Sequence, residues 1–307
     1  MEKSFLIIGA GEVGLAMLDS LQDYQEKQGE HLEIGVLVQP LVSSVARIKN
    51  NPRFTDVRVE ALDLINEDIQ NLIAVFKKYD TVICCSGFST GKGMQVKITE
   101  AVLDAGVRRY VPWQFGVDYD KIGRGSAQPS FDEQLAVRDL LRAQDNTHWI
   151  IVSTGMITSF LFREDFGVIN LSEKRISALG DWQHSLTLTS CEDIGNLTIK
   201  ILFYKPEILD QVVFIAGDTL TFEEMLHKLE RLFDTKFVHK VWDIPQLEKE
   251  IKDSSDDVFG RYRLVFTDPG VTWPVSDTFN YQNKIATVDF ERWIKENILQ
   301  DYTSALK

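Results

Sequence analysis

Short apolar runs alternate with amphipathic stretches through the first half of the chain. Phe5 to Ile8, Ile34 to Val38 and Thr81 to Cys85 are nearly continuous apolar runs, the pattern of strands covered on both faces of a parallel sheet. Between them, Val13, Met17, Leu18 and Leu21 recur at helical spacing, and Ile69, Leu72, Ile73 and Phe76 fall at i, i+3, i+4 and i+7. Each set predicts a helix laid on the sheet. Val57, Val59 and Ala61 predict a short third strand, Val96 to Ala105 and Gln134 to Ala143 predict further helices, and Arg109 to Val111 and Trp149 to Ser153 further strands. The alternation predicts an α/β chain with a doubly wound parallel sheet of six strands.

Beyond Met156 the regular alternation weakens. Leu186 to Thr189 and Val212 to Ala216 predict strands, while Thr221 with Glu224 three residues later forms a capping-box pattern ahead of Leu226, Leu229 and Leu232. The expected division is a first domain over residues 1–156 and a smaller mixed α/β domain over 157–307, some of whose segments return to the sheet. The acidic stretch from Glu248 to Asp257 predicts a solvated helix end or loop.

The loop after the first strand narrows the picture. Gly9-Ala10-Gly11-Glu12-Val13-Gly14 leaves that strand and opens the first helix, so backbone N–H groups and the helix N-terminus face a pyrophosphate. Gly9 permits the tight turn, Gly11 a close approach by the phosphate, and Gly14 close packing of helix on strand. In this context the motif predicts a Rossmann-type NAD(P)-binding domain, although FAD and S-adenosylmethionine binders use related turns. The second strand ends Val38-Gln39-Pro40, where NAD-specific proteins place an acid against the ribose hydroxyl. Gln39 is neutral, and Arg47, with Lys49 close by, is either a cation for a 2′-phosphate or a solvated helix residue. The expectation is NADP(H) ahead of NAD(H).

Composition removes several function classes. The 307 residues carry 33 Lys and Arg against 46 Asp and Glu, and a formal charge of −13 argues against direct nucleic-acid binding. No apolar run approaches the length that spans a bilayer, so no membrane association is expected. Cys84, Cys85 and Cys191 are too few for a disulfide framework and suit a reducing, cytoplasmic compartment. His31, His148, His227 and His239 show no ligand spacing with cysteines or carboxylates, so no metal is expected. No G-x-S-x-G elbow supports serine hydrolase chemistry.

Val107-Arg108-Arg109-Tyr110-Val111-Pro112-Trp113-Gln114-Phe115-Gly116 resembles the "(K/R)-R-(F/Y)-x-P-S-E-F-G" segment of the isoflavone-reductase and NmrA-like group of atypical short-chain dehydrogenases. Trp113 and Gln114 stand where Ser and Glu are usual. The glycine loop, Asp63-Leu64, Gln95 to Ala105, Asp193-Ile194-Gly195 and Val213 to Leu226 extend the resemblance over most of the chain. In plant reductases of this group a lysine on the next helix, four residues before an arginine, is assigned to proton transfer or substrate holding. Here Arg138 matches the arginine and Gln134 the lysine position. An amide can hydrogen-bond a substrate oxygen, but it does not titrate near neutral pH.

The resemblance implies an NADPH-dependent oxidoreductase, used in secondary metabolism, that reduces a hydrophobic small-molecule substrate, aromatic or polyketide-like, by hydride transfer. The alternative is a non-catalytic NmrA-like regulator that senses the dinucleotide and docks on a protein partner. A homodimer is also compatible with the sequence. Ligands of open α/β sheets bind outside the carboxyl ends of the strands, which brings Ser86, Gly87 and Phe88, then Gln114 and Phe115, then Thr154 toward the nicotinamide. Glu12, Val13 and Asp63 join them as cofactor-binding candidates. Phe88 and Phe115 are either nicotinamide contacts or core, and Gln114 either a structural amide or a substrate contact. Tyr119 is a candidate proton donor near Lys121 and Arg124, His184 a candidate acid–base group or a loop residue, and Gln134 the family's catalytic position.

Overall fold

The structure is a computed structural model that describes residues 3–254 and 256–299. In chain order its first elements are β1 (Ser4–Ile8), α1 (Glu12–Gln28), β2 (Glu33–Val38), α2 (Val42–Lys49), β3 (Arg58–Ala61), α3 (Ile69–Phe76), β4 (Thr81–Cys84), α4 (Met94–Ala105) and β5 (Arg109–Val111). Then follow α5 (Tyr119–Ile122), α6 (Ser130–Arg142), β6 (His148–Ser153), β7 (Met156–Ile157), β8 (Ile169–Asn170), β9 (Arg175–Leu179), β10 (Ser185–Thr189) and α7 (Cys191–Leu202). The remainder includes β11 (Gln211–Phe214), β12 (Asp218–Thr221), α8 (Phe222–Phe233), β13 (Val238–Trp242), α9 (Ile244–Asp253) and α10 (Val258–Val265).

The chain divides into two compact units. One holds residues up to 115 with 133–152 and 194–213, the other 116–132, 153–193 and 214 onward. The first unit carries a sheet in the order β11-β6-β5-β4-β1-β2-β3. This is the doubly wound arrangement, with the strand order reversing between β1 and β4. It has seven strands and not the six expected. Gln211–Phe214 is the addition: Asp210 N–H donates to Trp149 O (2.7 Å), which starts the strand along the edge of β6.

Period-two alternation along β1 sends its side chains to two layers. Leu6 and Ile8 join Leu72, Phe76, Ile98, Val102, Tyr110 and Val137 in one cluster, so α3, α4 and α6 cover that face. Phe5 instead meets Phe203, just past α7, at 5.6 Å between ring centroids, and Phe203 stacks on Tyr24 of α1. The helices stop where their residues require it. The stripe Leu72, Ile73 and Phe76 is buried behind an Asp68 cap whose carboxylate accepts from Gln70 N–H (2.8 Å), and α1 ends on Gly29 at φ +64°.

The second unit contains two three-stranded sheets, β12-β10-β7 and β13-β9-β8. The capping box at Thr221 and Glu224 is present, with Leu226 and Leu229 buried along α8. The acidic stretch closes α9 and passes into a loop. In the first turn of α7, buried Asp193 accepts hydrogen bonds from Val288 N–H (2.8 Å) and Ser190 Oγ (3.0 Å).

Burial raises the Asp193 carboxyl from 3.8 to about 6, against the hydrogen bonds from Val288 and Ser190. A carboxyl raised in the folded state favours folding fully below its ordinary pKa, and that contribution disappears as pH climbs through 6. Asp193→Asn, which keeps an acceptor oxygen, is therefore expected to gain stability relative to the parent between pH 4 and pH 7, by up to about 3 kcal/mol. Urea unfolding across that range checks it; a difference independent of pH would remove Asp193 as the cause.

Candidate functional site

The glycine loop is shaped by two contacts and one opening. Gly9 sits at φ +95°, its N–H bonded to Leu37 O (2.8 Å), and a Cβ there would lie 2.6 Å from Ser86 Oγ. A Cβ on Gly14 would stand 2.1 Å from Gly9 O, so α1 starts flush against the turn. Gly11 differs from both. Its φ is −76°, open to any residue, and a Cβ there meets nothing within 4 Å. The fold does not require glycine at 11; a side chain there would occupy cleft space. Gly11 also caps α1 without any side-chain hydrogen bond, which leaves the positive end of a 17-residue helix at the loop.

Around the loop lies a cleft of about 260 Å³ at the carboxyl ends of β1, β2 and β4. Gly9, Gly11, Gln39, Arg47, Ser86 and Gly87, all cofactor-binding candidates from the sequence, line it together with Ala10, Leu37, Val38, Leu64, Cys85 and Thr90. Ser43 and Ser44, in the first turn of α2, complete the wall. The sequence reading missed them; the signal was a pair of hydroxyls opening the helix after β2. Arg47 Nη1 donates to Ala10 O (3.1 Å), tying α2 to the glycine loop. No acidic side chain lines the cleft among the described residues.

Other candidates lie off its wall. Asp63 accepts from Asn66 Nδ2 (2.7 Å) and Ile65 N–H (3.0 Å), and these bonds hold its carboxyl below the usual range. It organises the turn that presents Leu64. Glu12 is exposed at the helix start, and Val13 is buried behind the loop. Phe88 is half-buried, in the turn after Gly87, while Phe115 is buried edge-on to Trp113 (5.7 Å).

In the second unit, Thr154 is buried, with its N–H on Gly116 O (2.8 Å) and its carbonyl accepting from Thr189 Oγ1 (2.6 Å). Tyr119 is buried edge-on to Phe131 (4.9 Å). His184 is half-buried with Nε2 2.8 Å from Phe266 O, and because a carbonyl only accepts, Nε2 carries the hydrogen.

Gln114 and Gln134 are fully buried and touch. Gln114 Nε2 donates to Gln134 Oε1 (2.6 Å) and to Gln134 O (3.0 Å), and Arg138 Nε donates to Gln114 Oε1 (2.9 Å). Gln134 Nε2 is buried with no hydrogen-bond partner among the described residues. Two of the three positions at which the sequence departs from the family pattern, Gln114 and Gln134, therefore form one neutral amide pair. Among the described residues, no group of three or more His, Cys, Asp or Glu is placed to hold a metal, and no helix is long and apolar enough to cross a membrane.

The model of the NmrA-like family matches residues 2–286. The chain belongs to the NmrA-like family. A relative from Gibberella moniliformis, an NmrA-like family domain-containing oxidoreductase, is 37% identical over 304 residues, 96% of this chain and 98% of the relative. The fold of this NmrA-like chain matches a crystal structure of isoflavone reductase at TM-score 0.78 and 20% identity, covering 97% of this chain and all (100%) of the other. It matches the binary complex of leucoanthocyanidin reductase with NADPH from Vitis vinifera, also at 0.78, with 15% identity over 95% of this chain and 98% of the other.

Two variant pairs test the geometry. Gly14→Ala should lose more than about 2 kcal/mol of stability, while Gly11→Ala stays within about 1 kcal/mol of the parent yet binds dinucleotide at least about tenfold more weakly. Thermal melts and calorimetry read the two effects separately. Gln134→Lys should cost about 3 kcal/mol or more by burying a second cation beside Arg138, and adding Gln114→Glu should recover part of it. Strict additivity in the double-mutant cycle would show that the pair is not coupled.

Proposed function

We propose that this NmrA-like chain is an NADPH-dependent oxidoreductase that reduces a hydrophobic small molecule, aromatic or polyketide-like, by hydride transfer. The observation that carries the reading is the cleft: a helix N-terminus with no side-chain cap, a glycine at 11 that the fold does not need, and a wall with Gln39, Ser43, Ser44 and Arg47 but, among the described residues, no carboxylate. These residues fit the dinucleotide. Backbone N–H groups of the loop take the pyrophosphate, and Ser43, Ser44 and Arg47 offer hydroxyls and a guanidinium to a 2′-phosphate that an acid at the end of β2 would repel. Ser86, Gly87 and Phe88 then belong to the nicotinamide half. When bound, the nicotinamide supplies the hydride.

The substrate class rests on two supports. Relatives 26–27% identical over 82% of this chain carry the names phenylcoumaran benzylic ether reductase and eugenol synthase, names that refer to aromatic small molecules. In the second unit, half-buried Phe160 has ring neighbours Phe166 (4.7 Å), Tyr262 (5.7 Å) and Phe259 (6.2 Å), an aromatic face suited to a flat ligand. Tyr119 and His184 are the proposed sources of a proton, since Gln134 has none to give.

One observation favours a second reading. Gln134 is sealed against Gln114, away from the cleft wall, as in a protein that binds dinucleotide without turnover and signals to a protein partner.

Parallel calorimetric titrations should show NADPH binding at least about tenfold tighter than NADH, with the preference removed in Arg47→Ala. NADPH oxidation is then followed against a library of aromatic enones and carbonyls. Binding of neither dinucleotide sinks both readings. Tight NADPH binding without turnover of any library member, together with unequal affinity for NADP+ and NADPH, selects the sensor.

A further inference from the structure

We infer that Gln95 is a positioning residue for the nicotinamide half of the cofactor, acting through the peptide that joins Ser86 to Gly87. The inference rests on the dinucleotide reading of the cleft. Ser86 and Gly87 line that cleft just past β4, whereas Gln95, in the first turn of α4 and 3% exposed, stands behind them. Its Nε2 donates to Ser86 O (2.8 Å) and reaches Gly87 O at 3.5 Å. Only the NH2 end of the amide suits two carbonyls, since an oxygen there would meet acceptors alone. The carbonyl and the following N–H leave a trans peptide in opposite directions. A Ser86 carbonyl drawn to Gln95 therefore turns the Gly87 N–H away from α4 and presents it to the ligand.

Gln95 is itself held in place. Glu133 of α6 accepts from Gly93 N–H (2.9 Å) and Gln95 N–H (2.7 Å), and Gln95 O accepts from Thr99 Oγ1 (2.7 Å), so the backbone that carries the amide is fixed on both sides. Cys84 Sγ lies 3.9 Å from Gln95 Oε1. Gly87 is confined as well, because a Cβ there would stand 2.8 Å from Trp113 Cζ2. The indole limits where residue 87 can sit, and the buried amide sets which way its peptide plane faces. A donor fixed before binding lowers the ordering cost that a ligand meets. The adenosine half has its contacts elsewhere, on Ser43, Ser44 and Arg47 of α2.

The test titrates the full chain with NADP+ and with adenosine 2′,5′-bisphosphate, which keeps the adenosine half and lacks the nicotinamide. Gln95→Met is expected to weaken NADP+ at least about fivefold while the bisphosphate stays within about twofold of the parent. Gln95→Glu, run in parallel, adds a pH signature and decides alone if Gln95→Met does not fold. Its protonated acid still donates to Ser86 O, and its carboxylate repels that oxygen. Its loss relative to the parent is expected to be at least about threefold larger at pH 8 than at pH 5, again for NADP+ alone. A merely structural role moves neither the split between the two ligands nor its pH dependence. Equal losses of both ligands would overturn the inference and leave the dinucleotide reading standing, as would unchanged NADP+ binding or a Gln95→Glu loss independent of pH. A parent that binds neither ligand would overturn both.

Discussion

The approach of Gly14 to the carbonyl of Gly9 is the constraint on which the rest of the first unit depends. It brings the start of α1 flush against the turn that leaves β1, and neither partner has room for a side chain. Once α1 starts there, its helix axis points the free N-terminus at the crevice where strand order reverses, and α2 can reach back through Arg47 to Ala10. The cleft is thus a by-product of backbone packing. Its polarity comes from main-chain groups and a few short side chains, with acids kept off its wall.

The legible parts of the sequence were those governed by local rules. Runs such as Phe5–Ile8 and the stripe Leu72, Ile73 and Phe76 announce their partners through period alone, and the capping box at Thr221 is written in residues three apart. The seventh strand was legible as a strand, and some later segments were expected to return to the sheet, but which one does so was not legible, because β11 pairs with β6 across a separation of some sixty residues and carries little periodic signal of its own. Among site residues, Gly9, Gly11, Gln39 and Arg47 followed from the motif. Ser43 and Ser44 did not, since hydroxyls at a helix start read equally well as solvated polar residues. Asp63 shows the reverse: it stands beside the cleft, but its carboxylate is taken up by Asn66 and the backbone of its own turn and by the Gln39 side chain.

The Gln114–Gln134 contact was the least accessible feature. Each glutamine reads alone as a departure from a pattern; only the fold shows that the two departures are one, joined at 2.6 Å with Arg138 beside them. Burial explains why a neutral pair suits this place, since a lone charge there carries a large desolvation cost. The neutral pair keeps the local architecture while removing any titrating group from the position.

The uncapped start of α1 has a consequence for the lifetime of the protein. A helix end whose donors await an anion leaves the unliganded chain short of stability it could have, and any ligand held there adds RT ln(1 + [L]/Kd), about 2.7 kcal/mol at a hundredfold excess over Kd. The unfolded fraction exposed to proteases falls by the same factor. Abundance of this chain in a cell would therefore follow the supply of its ligand even where synthesis is constant, so that the fold itself acts as a gauge of the pool it draws on.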